Sequence, residues 1–120
     1  MTAGVIIPRL LGMAPDAKAK GHLDLLLLSV LEEGPAHGYA IIERLRARSY
    51  EVFDLPEGSV YPALHRLERD GLVKSTWATA AGRRRRMYKL TRNGRSELAR
   101  ERAEWQSFSR AVSAVAAPAR

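Results

Sequence analysis

Apolar positions recur at helical spacing through the first half of the chain and at strand spacing only in a short stretch of the second. Leu23, Leu26, Leu27, Val30 and Leu31 repeat at intervals of three and four. Asp24 suits the electropositive first turn, and Gly34-Pro35 closes the element. The breadth of this apolar surface predicts a nearly buried helix. His37-Gly38 opens a second helix, with Tyr39, Ile41, Ile42 and Leu45 inside and Glu43, Arg44, Arg46 and Arg48 in water. After a connection over residues 50–56, Val60, Leu64 and Leu67 share one stripe of a third helix that runs to Asp70 and is closed by Gly71. Pro62 has no amide hydrogen and is tolerated only in a first turn. The regular helix is therefore expected to begin near Gly58 or Ser59, with Ser59 as candidate cap.

The period then changes. Residues 72–77 favour a strand, and residues 86–91 alternate polar and apolar side chains. Ala78 to Arg85 are expected as a loop containing Gly82, giving a hairpin tipped with arginines. Thr91 can cap a last helix that starts near Arg92 or Asn93 and stops at Pro118. On it Leu98, Trp105 and Val112 lie seven apart. Phe108 and Val115 form a second row offset by three, with Glu101 as the polar exception. Such a seam predicts pairing with a second copy. Three helices, a hairpin and a long helix describe a mainly α protein, a winged helix-turn-helix followed by a C-terminal helix. The expected division is a flexible arm over 1–20, a winged helix over 21–91 and a dimerisation helix over 92–117.

Length and composition narrow the classes. One domain fits 120 residues, and the lack of cysteine excludes disulfides, thiolate zinc sites and a cysteine nucleophile. No apolar run approaches the roughly 18 residues of a membrane span, and the N-terminal residues do not read as a signal peptide. The expectation is a cytoplasmic protein with no membrane partner. His22, His37 and His65 fall on three different elements without carboxylates at ligand spacing, so no metal is expected. Ser29, Ser49, Ser59 and Ser75 have no triad context, and Gly34-x-x-x-Gly38 lacks the Lys-Ser/Thr of a phosphate loop. No enzyme and no cofactor are expected.

Charge adds a direction. The formal net charge is +7, yet residues 1–71 carry 8 basic and 10 acidic side chains, whereas residues 72–102 carry 10 basic and 2 acidic. A positive patch so concentrated points to a polyanion, most often nucleic acid. The outward side of the third helix offers Pro62, His65, Arg66 and Arg69, flanked by Tyr61 and Ser59. These groups reach phosphates and base edges. Arg83, Arg84, Arg85 and Arg86 repel one another unless solvated or matched by anions, and phosphates or a narrow minor groove supply such a match. His37 suits a helix cap or a phosphate contact. A solvated surface, a protein-interaction module and an RNA-binding winged helix are the alternatives to duplex DNA.

The runs Val30-Leu31-Glu32-Glu33-Gly34-Pro35-Ala36-His37-Gly38-Tyr39, Gly58-Ser59-Val60-Tyr61-Pro62-Ala63-Leu64-His65-Arg66-Leu67-Glu68-Arg69-Asp70-Gly71-Leu72-Val73 and Arg84-Arg85-Arg86-Met87-Tyr88-Lys89-Leu90-Thr91, with Trp77, Gly94 and Trp105, together resemble the PadR family of bacterial transcriptional regulators. The single last helix resembles the short branch of that family. The resemblance implies a repressor that binds double-stranded DNA as a homodimer on a two-fold operator. Tyr39 would touch a phosphate, the helix from Ser59 to Arg69 would lie in the major groove, and the wing from Gly82 to Arg86 would reach the flanking groove. Leu98, Trp105, Phe108, Val112 and Val115 would line the dimer seam. Trp105 and Phe108 would be the platform for a small aromatic effector. The chain departs from the pattern at Pro56-Glu57, where many members carry Ser-Pro.

Overall fold

A computed structural model describes residues 22–119; the arm expected over 1–20 lies outside the described residues. In chain order the elements are α1 (Leu23–Leu31), β1 (Ala36–His37), α2 (Gly38–Arg48), α3 (Glu57–Arg69), β2 (Val73–Ala80), β3 (Arg83–Leu90) and α4 (Arg92–Ala116). The order is that of a winged helix-turn-helix with a long final helix. Leu27, Leu28, Ile41, Val60, Leu64 and Leu67 meet in the centre, enclosed by α1, α2, α3 and the inner face of the sheet. Arg44 stitches the first two helices together. Its guanidinium donates to the carbonyls of Val30 and Gly34, at 3.1 and 2.8 Å, satisfying acceptors at the C-terminal end of α1. The side chain expected in water thus lies across the turn.

The sheet has the order β1-β3-β2 and is antiparallel throughout. β1 is only two residues long, too short to register as a period, and pairs Ala36 with Tyr88 and His37 with Met87. The hairpin corrects the expected loop over Ala78 to Arg85. β2 and β3 stay in register from Val73↔Leu90 to Ala80↔Arg83. The turn is Ala81-Gly82, with φ of 54° and 73°. Positive φ at both central residues matches the right-handed twist of the strands and permits so tight a connection. All four arginines therefore lie in β3 rather than at the tip, and their side chains alternate between two faces.

α3 begins at Glu57 with Pro56 at the cap position, earlier than the expected Gly58 or Ser59. The amides of Ser59 and Val60 both donate to the Pro56 carbonyl, so Ser59 lies inside the helix and is not its cap. Pro62 consequently sits beyond the first turn. The carbonyl it leaves without an amide partner belongs to Gly58, which is exposed, so water can replace the missing bond. At the other junction Thr91 caps α4 as expected: its Oγ1 accepts from the Gly94 amide at 3.0 Å and donates to the Gly71 carbonyl at 2.6 Å.

Leu98 is corrected from the dimer seam to the core of its own chain, where it is 2% exposed. It lies less than two turns past the Thr91 cap, where α4 still crosses the winged helix. After Leu98, no residue of α4 is buried among those described.

Gly94 shows how closely α4 is seated, since a Cβ there would stand 2.0 Å from the Leu72 carbonyl oxygen. Gly94→Ala is expected to lower stability by about 1–3 kcal/mol or more, measured by urea denaturation, because a backbone carbonyl cannot rotate away as a side chain could.

Candidate nucleic-acid interface

α3 is held on three sides and open on the fourth. Its core stripe is buried, and on one flank the Arg66 guanidinium bonds the Asp24 carboxylate of α1. On the other flank the Tyr61 ring covers Gly38, where any Cβ would collide with it at 2.4 Å. On that side Glu68 accepts the Ser75 hydroxyl at 2.6 Å. Gly58, Pro62, His65 and Arg69 remain on the exposed face, spaced as one stripe. The structure thus places Arg66 apart from the group expected to read bases. One helical step from the outward centre is enough for a carboxylate on α1 to capture it. Ser59 is half-buried on the Arg66 side.

The register of the hairpin sorts the wing. Opposed residues share a face, so Val73, Ser75 and Trp77 lie with Leu90, Tyr88 and Arg86, followed by Arg84. Near the helices this face is core; beyond them it becomes Trp77 with Arg84 and Arg86. The second face carries Lys74, Lys89, Arg85 and Arg83, together with His37 from β1. Among the described residues, none of these four cations has an acidic partner, and the Arg85 Nε is enclosed without a hydrogen-bond acceptor. The sequence pattern puts Lys74 and Lys89 on strands without singling them out, because the register that pairs them across the hairpin is not legible in either stretch alone.

His37 caps α2, its Nδ1 accepting from the Ala40 amide at 3.3 Å. Burial holds its pKa below the usual histidine value, and the charges of Arg85 and Arg44 push the same way. Tyr39, in the first turn of α2, is 54% exposed. The first turn of α2, the outer stripe of α3 and the wing thus gather His37, Tyr39, His65, Arg69 and the β3 arginines on one small domain.

The distal part of α4 is different. Trp105 is half-buried, meeting His22 edge-on at 5.2 Å between ring centres, with Phe108 at 6.2 Å. Both rings border a cleft of about 330 Å³ shared with His22, Asp24, Leu25 and Glu101. Burial, and then a hydrogen bond with Glu97, push the Glu101 carboxyl up to about 7. Phe108 and Val115 are 52% and 87% exposed, and Val112 is partly covered. No group of three or more potential metal ligands occurs among the described residues, and no described helix is long and apolar enough to cross a membrane.

The His37 cap has a pH signature. The neutral imidazole accepts the Ala40 hydrogen bond, so a lowered folded pKa means that the cap's contribution is full above the unfolded value near 6.5 and is lost as pH falls through the folded value. His37→Asn keeps a capping acceptor that does not titrate in this range. The stability of the wild type relative to His37→Asn is expected to fall between pH 7 and pH 5 in urea titrations; a constant difference would contradict the assignment.

Comparison with known proteins agrees with this geometry. The model of the transcriptional regulator PadR-like family matches residues 27–100. Transcriptional regulator Rv3488 of Mycobacterium tuberculosis is 35% identical over 88 residues, which cover 73% of this chain and 79% of that protein. A PadR family transcription regulator from Clostridium difficile R20291 superposes with a TM-score of 0.69 at 32% identity, covering 78% of this chain and 97% of that one. A transcriptional regulator from Clostridium thermocellum gives a TM-score of 0.75 at 28% identity, covering 83% and 98%. The chain belongs to the PadR-like family of transcriptional regulators, a DNA-binding regulator and not an enzyme.

Proposed function

We propose that the protein is a repressor that binds a two-fold operator as a homodimer, with α3 in the major groove and the arginine wing on the flanking groove. The observation that carries this reading is the division of its cations. Arg44, Arg48, Arg66, Arg100 and Arg102 are bound to carbonyls or carboxylates of the chain itself. Arg69, Lys74, Arg83, Arg84, Arg85 and Lys89 have no acidic partner among the described residues, and of the β3 arginines Arg86 alone lies near a carboxylate, 3.8 Å from Glu68. Arg69 and His65 on the stripe of α3 supply different hydrogen-bonding groups to base edges, with Ser59 and Pro62 beside them. Arg83, Arg84, Arg85 and Arg86 supply charge to phosphates. Tyr39, Tyr61 and His37 stand where the first turn of α2 would approach the backbone. Arg66 contributes by fixing α3 to α1.

The homodimer follows from α4. A 25-residue helix that buries only Gly94 and Leu98 in its own chain leaves Trp105, Phe108, Val112 and Val115 as an apolar row in need of a partner. A second copy brings the same row by two-fold symmetry, and the symmetry of the protein then sets that of the DNA site. The cleft beside Trp105 and Phe108 would take a small aromatic effector, whose binding there would relieve repression.

Selection of bound duplexes from a random pool tests the reading and should return a two-fold consensus. His65→Ala and Arg69→Ala are each expected to relax the preference at defined base pairs by about 1–3 kcal/mol. Joint replacement of Arg83 and Arg85 by Ala should lower the salt slope of binding by about 0.9 for each phosphate that is no longer neutralised, with sequence preference intact. Recovery of unselected sequence, or profiles unchanged in both α3 variants, would remove base reading from α3. Separately, Phe108→Ala should convert a dimer to a monomer in sedimentation while leaving the helical signal unchanged. A wild-type monomer at tens of micromolar would contradict the assembly.

A further inference from the structure

Four consecutive arginines look interchangeable in the sequence, but the structure treats them in two ways. Trp77 is 55% exposed on β2, beyond the part of the sheet that covers the core. Its ring lies under two guanidiniums: that of Arg86, its cross-strand partner, at 5.5 Å from the ring centre, and that of Arg84, one diagonal step away, at 5.2 Å. A guanidinium stacked on an indole face gains a cation–π attraction and loses rotational freedom. Arg86 is also 3.8 Å from Glu68 of α3, the carboxylate that accepts the Ser75 hydroxyl. An unbroken line of contacts therefore leads from α3 through Glu68 and Arg86 to Trp77 and Arg84. Arg83 and Arg85, on the opposite face, have neither a ring nor a carboxylate among the described residues.

We infer that Trp77 is a positioning residue for DNA recognition: it holds Arg84 and Arg86 at a fixed place relative to α3, so that this face of the wing reads minor-groove width, while Arg83, exposed on the opposite face, supplies sequence-independent attraction. The inference rests on the operator-binding reading above. Its physical basis is entropy and geometry. A free arginine follows phosphates wherever they lie, and so contributes to every duplex alike. An arginine held in advance enters a groove only where the groove meets it, and narrow A-tract grooves, with their enhanced negative potential, favour that insertion. Two like charges on one ring are also costly to hold together without an anion, so the stack has reason to meet one.

The test has two arms. In the free protein, nitrogen-15 spectra of arginine side chains should show ring-shifted Nε–H signals for Arg84 and Arg86 alone. These should return to ordinary positions in Trp77→Ala and stay displaced in Trp77→Phe. In the second arm, binding is measured for two duplexes that share the selected half-sites and differ only in A-tract or G·C-rich flanks under the wing. The wild type should prefer the A-tract flank by about fivefold or more, Trp77→Phe should keep most of that preference, and Trp77→Ala should reduce it below about twofold with an unchanged salt slope. Thermal unfolding of both variants verifies that they fold. Arginine signals indifferent to Trp77 would overturn the inference, as would equal weakening of both duplexes or a changed salt slope in Trp77→Ala. Ring-shifted signals with duplex binding but no flank preference would overturn this inference alone. Ring-shifted signals with no duplex binding would overturn the operator reading beneath it.

Discussion

The arrangement depends on how α3 is gripped. Val60, Leu64 and Leu67 are fully enclosed and anchor it along one stripe. Each such side chain contributes roughly 1.5–3 kcal/mol on burial. Burial of that stripe sets which side of the helix faces inward. Polar and steric contacts on the two flanks brace it there, Arg66 to Asp24 on one side and Tyr61 over Gly38 with Glu68 to Ser75 on the other. Gly58, Pro62, His65 and Arg69 face outward as a consequence. A helix that reads bases has to present the same few side chains at the same angle in every encounter. These contacts fix the angle at which α3 presents its outer stripe.

Charge is distributed by the same logic. Within the helices, arginines serve as struts. Arg44 ties α2 to the end of α1, Arg48 meets Glu33, and Arg102 joins α4 to Glu32. The pairs at the surface contribute little energy each, but they remove those cations from the external field. The excess positive charge is left on α3's outer stripe and on the wing, where a polyanion would encounter it first. α4 carries acids beside its arginines and an apolar row near its end, the features of a helix that meets protein rather than nucleic acid.

Much of this is legible in the residues. The stripes of α1, α2 and α3 obey helical spacing, Thr91 announces the last helix, and the motifs from His37 to Tyr39 and from Tyr61 to Leu64 carry the family resemblance. What escapes the sequence depends on long-range contact. β1 is two residues long and exists only because β3 offers it an edge. Leu98 fits the heptad row by spacing, yet the path of α4 across the core claims it. Arg66 has the chemistry of a base-reading residue, and local spacing gives no sign of the Asp24 carboxylate that it bonds, 42 positions earlier. The loop expected over Ala78 to Arg85 contains Gly82, and local spacing carries no sign of the cross-strand pairs from Ala78↔Arg85 to Ala80↔Arg83. The tight Ala81-Gly82 turn lets that pairing run to the end of the hairpin. Local periodicity therefore reveals the elements, whereas partners distant in sequence decide which face of each is free.

The proposed dimer would set two copies of α3 in successive major grooves, with the two wings in the grooves outside them. Methylation interference on a selected operator tests it directly, because guanine N7 lies in the major groove and adenine N3 in the minor groove. That arrangement predicts two patches of N7 interference about one helical turn apart, each flanked on its outer side by N3 interference. A single N7 patch, or N3 interference between the half-sites with none outside them, would contradict it.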